Sequence, residues 1–118
     1  LNRELVLRGH ATVPMNRFRP NILVAGPKAF AEHGLASVRN DYYSLALAHP
    51  CERCVVTTID QSTATRNPDW EPYRTLADIN PVPGGDKKPA FGHNAILSDG
   101  RNRTIRIGDQ LELLERNA

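Results

Sequence analysis

Residues 49–60 read His-Pro-Cys-Glu-Arg-Cys-Val-Val-Thr-Thr-Ile-Asp, and this stretch constrains the chain more than any other. Cys51 and Cys54 are its two cysteines, and a run of β-branched residues comes directly after them. A C-x-x-C pair by itself is shared by zinc ribbons, thioredoxins and haem-attachment sites. The residues after the pair narrow the choice. A thioredoxin-type pair opens a helix, whose dipole lowers the thiol pKa. Val55, Val56, Thr57, Thr58 and Ile59 favour a strand instead. A four-thiolate zinc site needs a second pair, and haem attachment needs a histidine directly after Cys54, where Val55 stands. The expectation is a strand over 55–60, with the cysteines where the chain turns into it.

The rest of the chain reads as short strands separated by turn signals. Residues 1–8 suit a short helix, and 18–25 a strand that Gly26-Pro27 ends. Residues 29–34 suit a helical turn closed by Gly34. Strands over 36–38 and 43–49 form a hairpin through Arg39-Asn40-Asp41. After a polar loop at 61–69, residues 70–79 make the longest helix, with Pro72 in its first turn and Leu76 and Ile79 on its apolar face. Residues 80–89 hold three prolines and two glycines and form a long loop. Strands over 90–97, 104–107 and 110–115 come next, the first two joined at Asp99-Gly100. The fold class is mainly β with one or two short helices; periodicity alone does not choose barrel over sandwich.

Length and composition set limits. A chain of 118 residues buries one core at most. A net charge of +2 gives no argument for nucleic acid, and no apolar run approaches the ~20 residues of a membrane helix. The reading is therefore no nucleic acid, no membrane and a cytoplasmic location. Only three of fifteen basic residues are lysines, a bias toward planar, bidentate anion contacts that a high-GC genome would equally produce.

Four ordered motifs resemble the MOSC domain family, named for the C-terminal domain of molybdenum cofactor sulfurases. They are Met15-Asn16-Arg17-Phe18-Arg19-Pro20-Asn21, Pro50-Cys51-Glu52-Arg53-Cys54 with Thr57-Thr58-Ile59-Asp60, and Glu71-Pro72-Tyr73-Arg74-Thr75-Leu76. The last is Phe91-Gly92-His93-Asn94 with Thr104-Ile105-Arg106-Ile107-Gly108-Asp109. The resemblance, close to bacterial MOSC proteins and the amidoxime-reducing component, implies a MOSC-type β-barrel. It implies that residues 1–118 are the C-terminal part of such a domain, with the N-terminal part and any β-rich N-terminal domain absent. It also implies a molybdenum cofactor (molybdopterin) and two-electron reduction of small N-hydroxylated compounds. An iron–sulfur or flavin electron donor on another domain or protein would supply the electrons. Pyridoxal phosphate belongs to a separate domain of the sulfurases and is not assigned to this segment.

The resemblance makes Cys51 the molybdenum ligand and catalytic residue, since a thiolate is a soft ligand, with Arg53 placed to favour its ionised form. Packing as small hydrophobes is the alternative for both cysteines. Arg17, Arg19 and Asn21, two apart in an extended chain, share a face and would cradle a phosphate or the pterin edge. The same spacing suits a solvated strand face, and the resemblance favours Arg19 over Arg17. His49 and Pro50 precede the cysteine near the cofactor, His49 either donating to it or capping the strand. Asn94 completes the cofactor-binding set, while Thr57 and Thr58 alternate between pocket and core and Asp60 serves as a turn residue. A sulfur carrier or cofactor-delivery domain with a persulfide on Cys51, or a non-catalytic binding module, are the alternative functions.

Overall fold

The structure, a computed structural model, describes residues 1–117. The chain forms two compact units, one from residues 1–30 and 51–91, the other from residues 31–50 and 92–118. Among the described residues, six strands and two short helices build them. Helix α1 is Asn2–Leu7, with strands β1 (Leu35–Arg39) and β2 (Ser44–Glu52) after it. The strands β3 (Ile59–Asp60) and β4 (Thr65–Arg66), helix α2 (Tyr73–Ile79), β5 (Ala90–Asp99) and β6 (Glu112–Glu115) complete the order. The larger sheet runs β5-β2-β1-β6 and is open among the described residues, and β3-β4 form a two-stranded ribbon. The chain is thus mainly β with two helices.

The 31–50/92–118 unit is organised by the β1–β2 hairpin, antiparallel with Val38 opposite Leu45. Asn40 makes the turn: its side-chain oxygen accepts from the Tyr42 and Tyr43 amides at 2.9 and 3.1 Å. That is the local bonding for which asparagine is favoured in turns. Leu35, Val38, Tyr43 and Leu45 form the buried cluster, with Leu47 and Leu111 against it. The buried Tyr43 hydroxyl donates to Asp109 at 2.8 Å, and burial pushes the phenol above its usual pKa. Gly100 lies so close to this turn that an added Cβ would sit 2.4 Å from the Tyr42 carbonyl oxygen.

In the 1–30/51–91 unit, Leu5, Thr58, Pro72, Thr75, Leu76 and Pro89 are fully buried. Glu71 caps α2, its carboxylate accepting from the Thr75 amide at 3.0 Å. Asn80 ends the helix and ties the long loop shut, donating to the Ala90 carbonyl at 2.8 Å. Arg8, just past α1, bonds Asp78 of α2 at 2.8 Å.

Two expected strands, 18–25 and 104–107, are absent, and the one expected over 55–60 is reduced to Ile59–Asp60, each for a physical reason. Residues 18–25 are not extended: Met15–Phe18 is a 3₁₀ turn, and Arg19 after it is left-handed (φ 48°, ψ 52°). No described strand pairs with Ile22-Leu23-Val24, and all three side chains stay exposed. Val55–Thr58 is another 3₁₀ turn rather than a strand. The Thr57 hydroxyl donates to the Cys54 carbonyl and the Thr58 hydroxyl to that of Val55, so side chains satisfy locally what a ladder would otherwise use. Residues 104–107 are irregular, with Ile105 and Ile107 exposed and turns closed by Arg103 N to Gly100 O and Asp109 N to Arg106 O. Among the described residues no helix is long and apolar enough to cross a membrane.

Candidate functional site

The motif Cys51–Cys54 lies in the 1–30/51–91 unit at the end of β2. Both thiols are free; Cys51 is half-buried and Cys54 exposed, so neither is a core hydrophobe. The Cys51 Sγ points toward the Glu52 carbonyl at 3.9 Å. Cys54 opens the next 3₁₀ turn, and its carbonyl accepts from both the amide and the hydroxyl of Thr57. The backbone at Cys54 is thereby pinned.

Arg53, between the thiols, bonds main-chain carbonyls. Its guanidinium donates twice to the Phe91 carbonyl, at 2.9 and 2.7 Å, and once to the Phe18 carbonyl at 2.8 Å. Its own amide donates to the Pro89 carbonyl at 2.8 Å. All three guanidinium bonds are charge-assisted, the class that contributes roughly 1.5–3 kcal/mol each. Bonded in this way to main-chain oxygens, Arg53 fastens three chain segments together, and among the described residues no hydrogen bond joins it to Cys51.

All three phenylalanines of the chain gather at this clamp. The Phe18 and Phe91 rings stack at 3.8 Å and 10°, Phe30 meets Phe91 edge-on at 6.4 Å, and the Arg53 guanidinium lies 5.7 Å from the Phe18 ring centre. Near-parallel rings so close are not the arrangement that aromatic quadrupoles prefer. The cation over one face and the bonds to both carbonyls offset that cost.

The two candidate arginines separate. Arg17 is inside the turn with its side chain only 10% exposed, reaching the Thr57 carbonyl at 3.4 Å and Asp60 at 3.6 Å. Its Nε is buried without a hydrogen-bond partner among the described residues. Asp60 is the expected turn residue: its carboxylate accepts from the Ser62 hydroxyl and amide, which hold its pKa below the usual carboxylate range, with Arg17 adding to the effect. Arg19 is exposed, and its guanidinium has no hydrogen-bond or ion-pair partner among the described residues. Asn21 is exposed on the irregular stretch beyond. The shared strand face expected of Arg17, Arg19 and Asn21 does not form, because a 3₁₀ turn and a left-handed residue break the alternation. Thr57 and Thr58 are likewise both buried rather than alternating between pocket and core.

In the 31–50/92–118 unit, His49 and Asn94 come together. Asn94 Nδ2 is 3.2 Å from His49 Nδ1, which is also 3.1 Å from the Pro50 carbonyl. The two contacts need opposite states of Nδ1, an acceptor toward the amide and a donor toward the carbonyl. Pro50 is half-buried in β2 directly before Cys51. Gly92 begins this part of β5 with φ 75°, a left-handed conformation that suits glycine. His93 beside it is edge-on to His33 at 5.1 Å, and its Nδ1 is buried without a partner. Burial first, and then the neighbouring His33, lower the His93 pKa.

Sequence reasoning missed the Phe18–Arg53–Phe91 clamp. The signal was there, since each of the three residues falls inside one of the four motifs, but the role of a guanidinium that binds carbonyls cannot be read from spacing.

Comparison with known proteins places these motifs. The family model described as MOSC domain matches residues 1–112. Mitochondrial amidoxime-reducing component 1 is 30% identical in Homo sapiens and 33% in Mus musculus, over 94% and 97% of this chain. Molybdenum cofactor sulfurase 1 of Aedes aegypti is 37% identical over 70% of the chain and 12% of its own length. The chain spans about a third of the amidoxime-reducing components, 34% and 33% of their lengths. With the family model covering nearly its whole length, the chain belongs to the MOSC domain family.

Proposed function

We propose that this chain is part of a molybdenum-cofactor-binding oxidoreductase domain that reduces N-hydroxylated compounds, with Cys51 as molybdenum ligand. One observation carries the reading: a reachable thiol pair and an open guanidinium, Arg19, occur in one unit and are joined through Arg53. The donor set fits the group, because a soft thiolate suits molybdenum and a guanidinium suits the phosphate of molybdopterin. When bound, the cofactor supplies two-electron redox chemistry at the metal. The residues would divide the remaining work. A cysteine thiolate fixes the metal, Arg19 binds an anionic oxygen, and Asn21 adds an amide contact beside it. Arg17, held by Asp60 and Thr57, supports the turn and adds positive potential. By the family resemblance, His49, beside Asn94 and the Pro50 carbonyl, would offer a polar ring nitrogen. The net change, R–NH–OH + 2 e⁻ + 2 H⁺ → R–NH₂ + H₂O, draws its electrons from an iron–sulfur or flavin donor outside this chain. The barrel that the family resemblance implies, the cytoplasmic location, and the assignment of residues 1–118 to the C-terminal part of the domain belong to the same proposal.

A second reading of the ligand rests on the cysteine geometry. Cys54 is the more exposed thiol and the better fixed, with Arg53 clamped before it and Thr57 bonded to its carbonyl. A preorganised ligand loses less entropy on binding metal, so this geometry favours Cys54 as the ligand in place of Cys51. Cys51→Ser and Cys54→Ser in the complete protein decide the matter, assayed for bound molybdenum and for reduction of an N-hydroxylated test compound. Loss of both properties in one variant alone identifies the ligand. Equal loss in both points to a dithiol mechanism, and a one-sulfur mass increment on either thiol points to sulfur carriage. Retention of metal and activity in both refutes thiolate ligation.

A further inference from the structure

We infer that Arg53 is a positioning residue that aims Arg19 at an anion. This deepens the cofactor reading, on which it depends only for what that anion is. The Arg53 guanidinium holds the Phe18 carbonyl at 2.8 Å. That carbonyl belongs to the peptide unit joining Phe18 to Arg19, so its orientation fixes one side of the Arg19 φ rotation. Arg19 adopts φ 48°, ψ 52°, a left-handed conformation that residues with a Cβ rarely take. Such strain persists where surrounding bonds over-determine it, and it gathers at functional sites.

Several contacts over-determine this one. The Phe18 ring is buried and stacked on Phe91, and the Phe91 carbonyl takes the two remaining Arg53 bonds. The Arg19 amide closes the 3₁₀ turn on the Asn16 carbonyl at 3.2 Å. The result turns Arg19 outward while Arg17 is drawn in toward Asp60. One arginine is paired with Asp60 and the other presented without a partner among the described residues. In an extended strand both would share a face and an anion would meet them together; here the anion contacts Arg19 and not Arg17. Arg53 is thus a structural cation whose product is the aim of a second one.

Nuclear magnetic resonance on the full chain tests this, using inorganic pyrophosphate as the anion probe. The intraresidue HN–Hα nuclear Overhauser effect of Arg19, strong at positive φ, reports its backbone state together with the three-bond coupling, and titration reports binding. In the unsubstituted chain Arg19 shows positive φ and its side chain responds to pyrophosphate. Arg53→Lys, which keeps the charge without the planar fork, leaves the chain folded but abolishes the positive-φ signature. It weakens pyrophosphate binding about tenfold, the scale of one charge-assisted contact. Arg19→Ala produces the same loss, and the double variant loses no more, because Arg53 acts through Arg19.

The inference is overturned if Arg19 keeps positive φ in Arg53→Lys, if the two losses multiply, or if the unsubstituted chain ignores pyrophosphate. It is overturned as well if neither Arg53→Lys nor Arg53→Gln folds, since Arg53 would then determine the fold rather than aim a side chain. Molybdenum content of the complete protein is a separate arm. Absent metal with the Arg53–Arg19 coupling intact refutes the cofactor reading and leaves this one standing.

Discussion

Truncating Phe18 to alanine should be the most damaging single change in the 1–30/51–91 unit, and its size can be worked out from the clamp. Phe18 is 2% exposed, its ring stacks on Phe91 at 3.8 Å, and the Arg53 guanidinium stands 5.7 Å from its centre. Losing a buried phenyl ring removes its transfer free energy and leaves a cavity, together about 3–5 kcal/mol. The aromatic pair contributes about 0.5–1.5 kcal/mol of that total beyond area burial. Domains of this size are stable by roughly 5–15 kcal/mol, so the variant keeps its fold with little margin. At about 4 °C per kcal/mol the melting temperature falls by about 12–20 °C. Urea denaturation monitored through the fluorescence of Trp70, the single tryptophan and a member of the same unit, measures the change. Phe18→Leu retains most of the volume and should cost about 1–1.5 kcal/mol. A loss below about 1.5 kcal/mol in Phe18→Ala itself would mean that neither the stacked rings nor the Arg53 bonds beside them hold this unit together.

Gly100→Ala should destabilise the other unit by at least about 2 kcal/mol, because φ there is 95° and the new Cβ would meet Tyr42 and Tyr43 main-chain atoms at 2.4 and 2.6 Å. An unchanged denaturation midpoint would contradict the close approach. The lowered pKa of His93, caused by burial and then by His33, with Arg116 and His49 in the same sense and Glu32 opposed, keeps its ring neutral in the fold. Its contribution is therefore present above the unfolded value of about 6.5 and lost as pH falls through the folded one. His93→Gln should flatten the stability profile between about pH 7 and about pH 5, and parallel profiles for the two proteins would refute this. Arg17→Ala should cost stability through the lost bonds to Thr57 and Asp60, whereas Arg19→Ala should leave the melting temperature unchanged and act on anion binding. Comparable melting temperatures for the two variants would erase the distinction drawn between them.

The sequence by itself determined the hairpin, the C-terminal end of α2 and the family, while the start of that helix falls at Tyr73 rather than at Trp70. Asn40 makes its turn by bonds to the next amides, the strand pairing sets Val38 opposite Leu45, and the four motifs carry the kinship. These are local properties, and local chemistry writes them directly. Only the tertiary structure decided what the motif residues do. Val55-Val56-Thr57-Thr58 has strand composition, but threonine hydroxyls bonded three residues back make it a 3₁₀ turn. Arg17 and Arg19 look equivalent two residues apart, yet a left-handed residue sends them to different surroundings. Arg53 looks like a thiol-activating cation because it stands between two cysteines. The carbonyls that accept from its N–H groups belong to Phe18 and Phe91, 35 and 38 residues away. Sequence spacing reports neighbours along the chain, whereas a guanidinium bonds whatever acceptor the fold brings within about 3 Å.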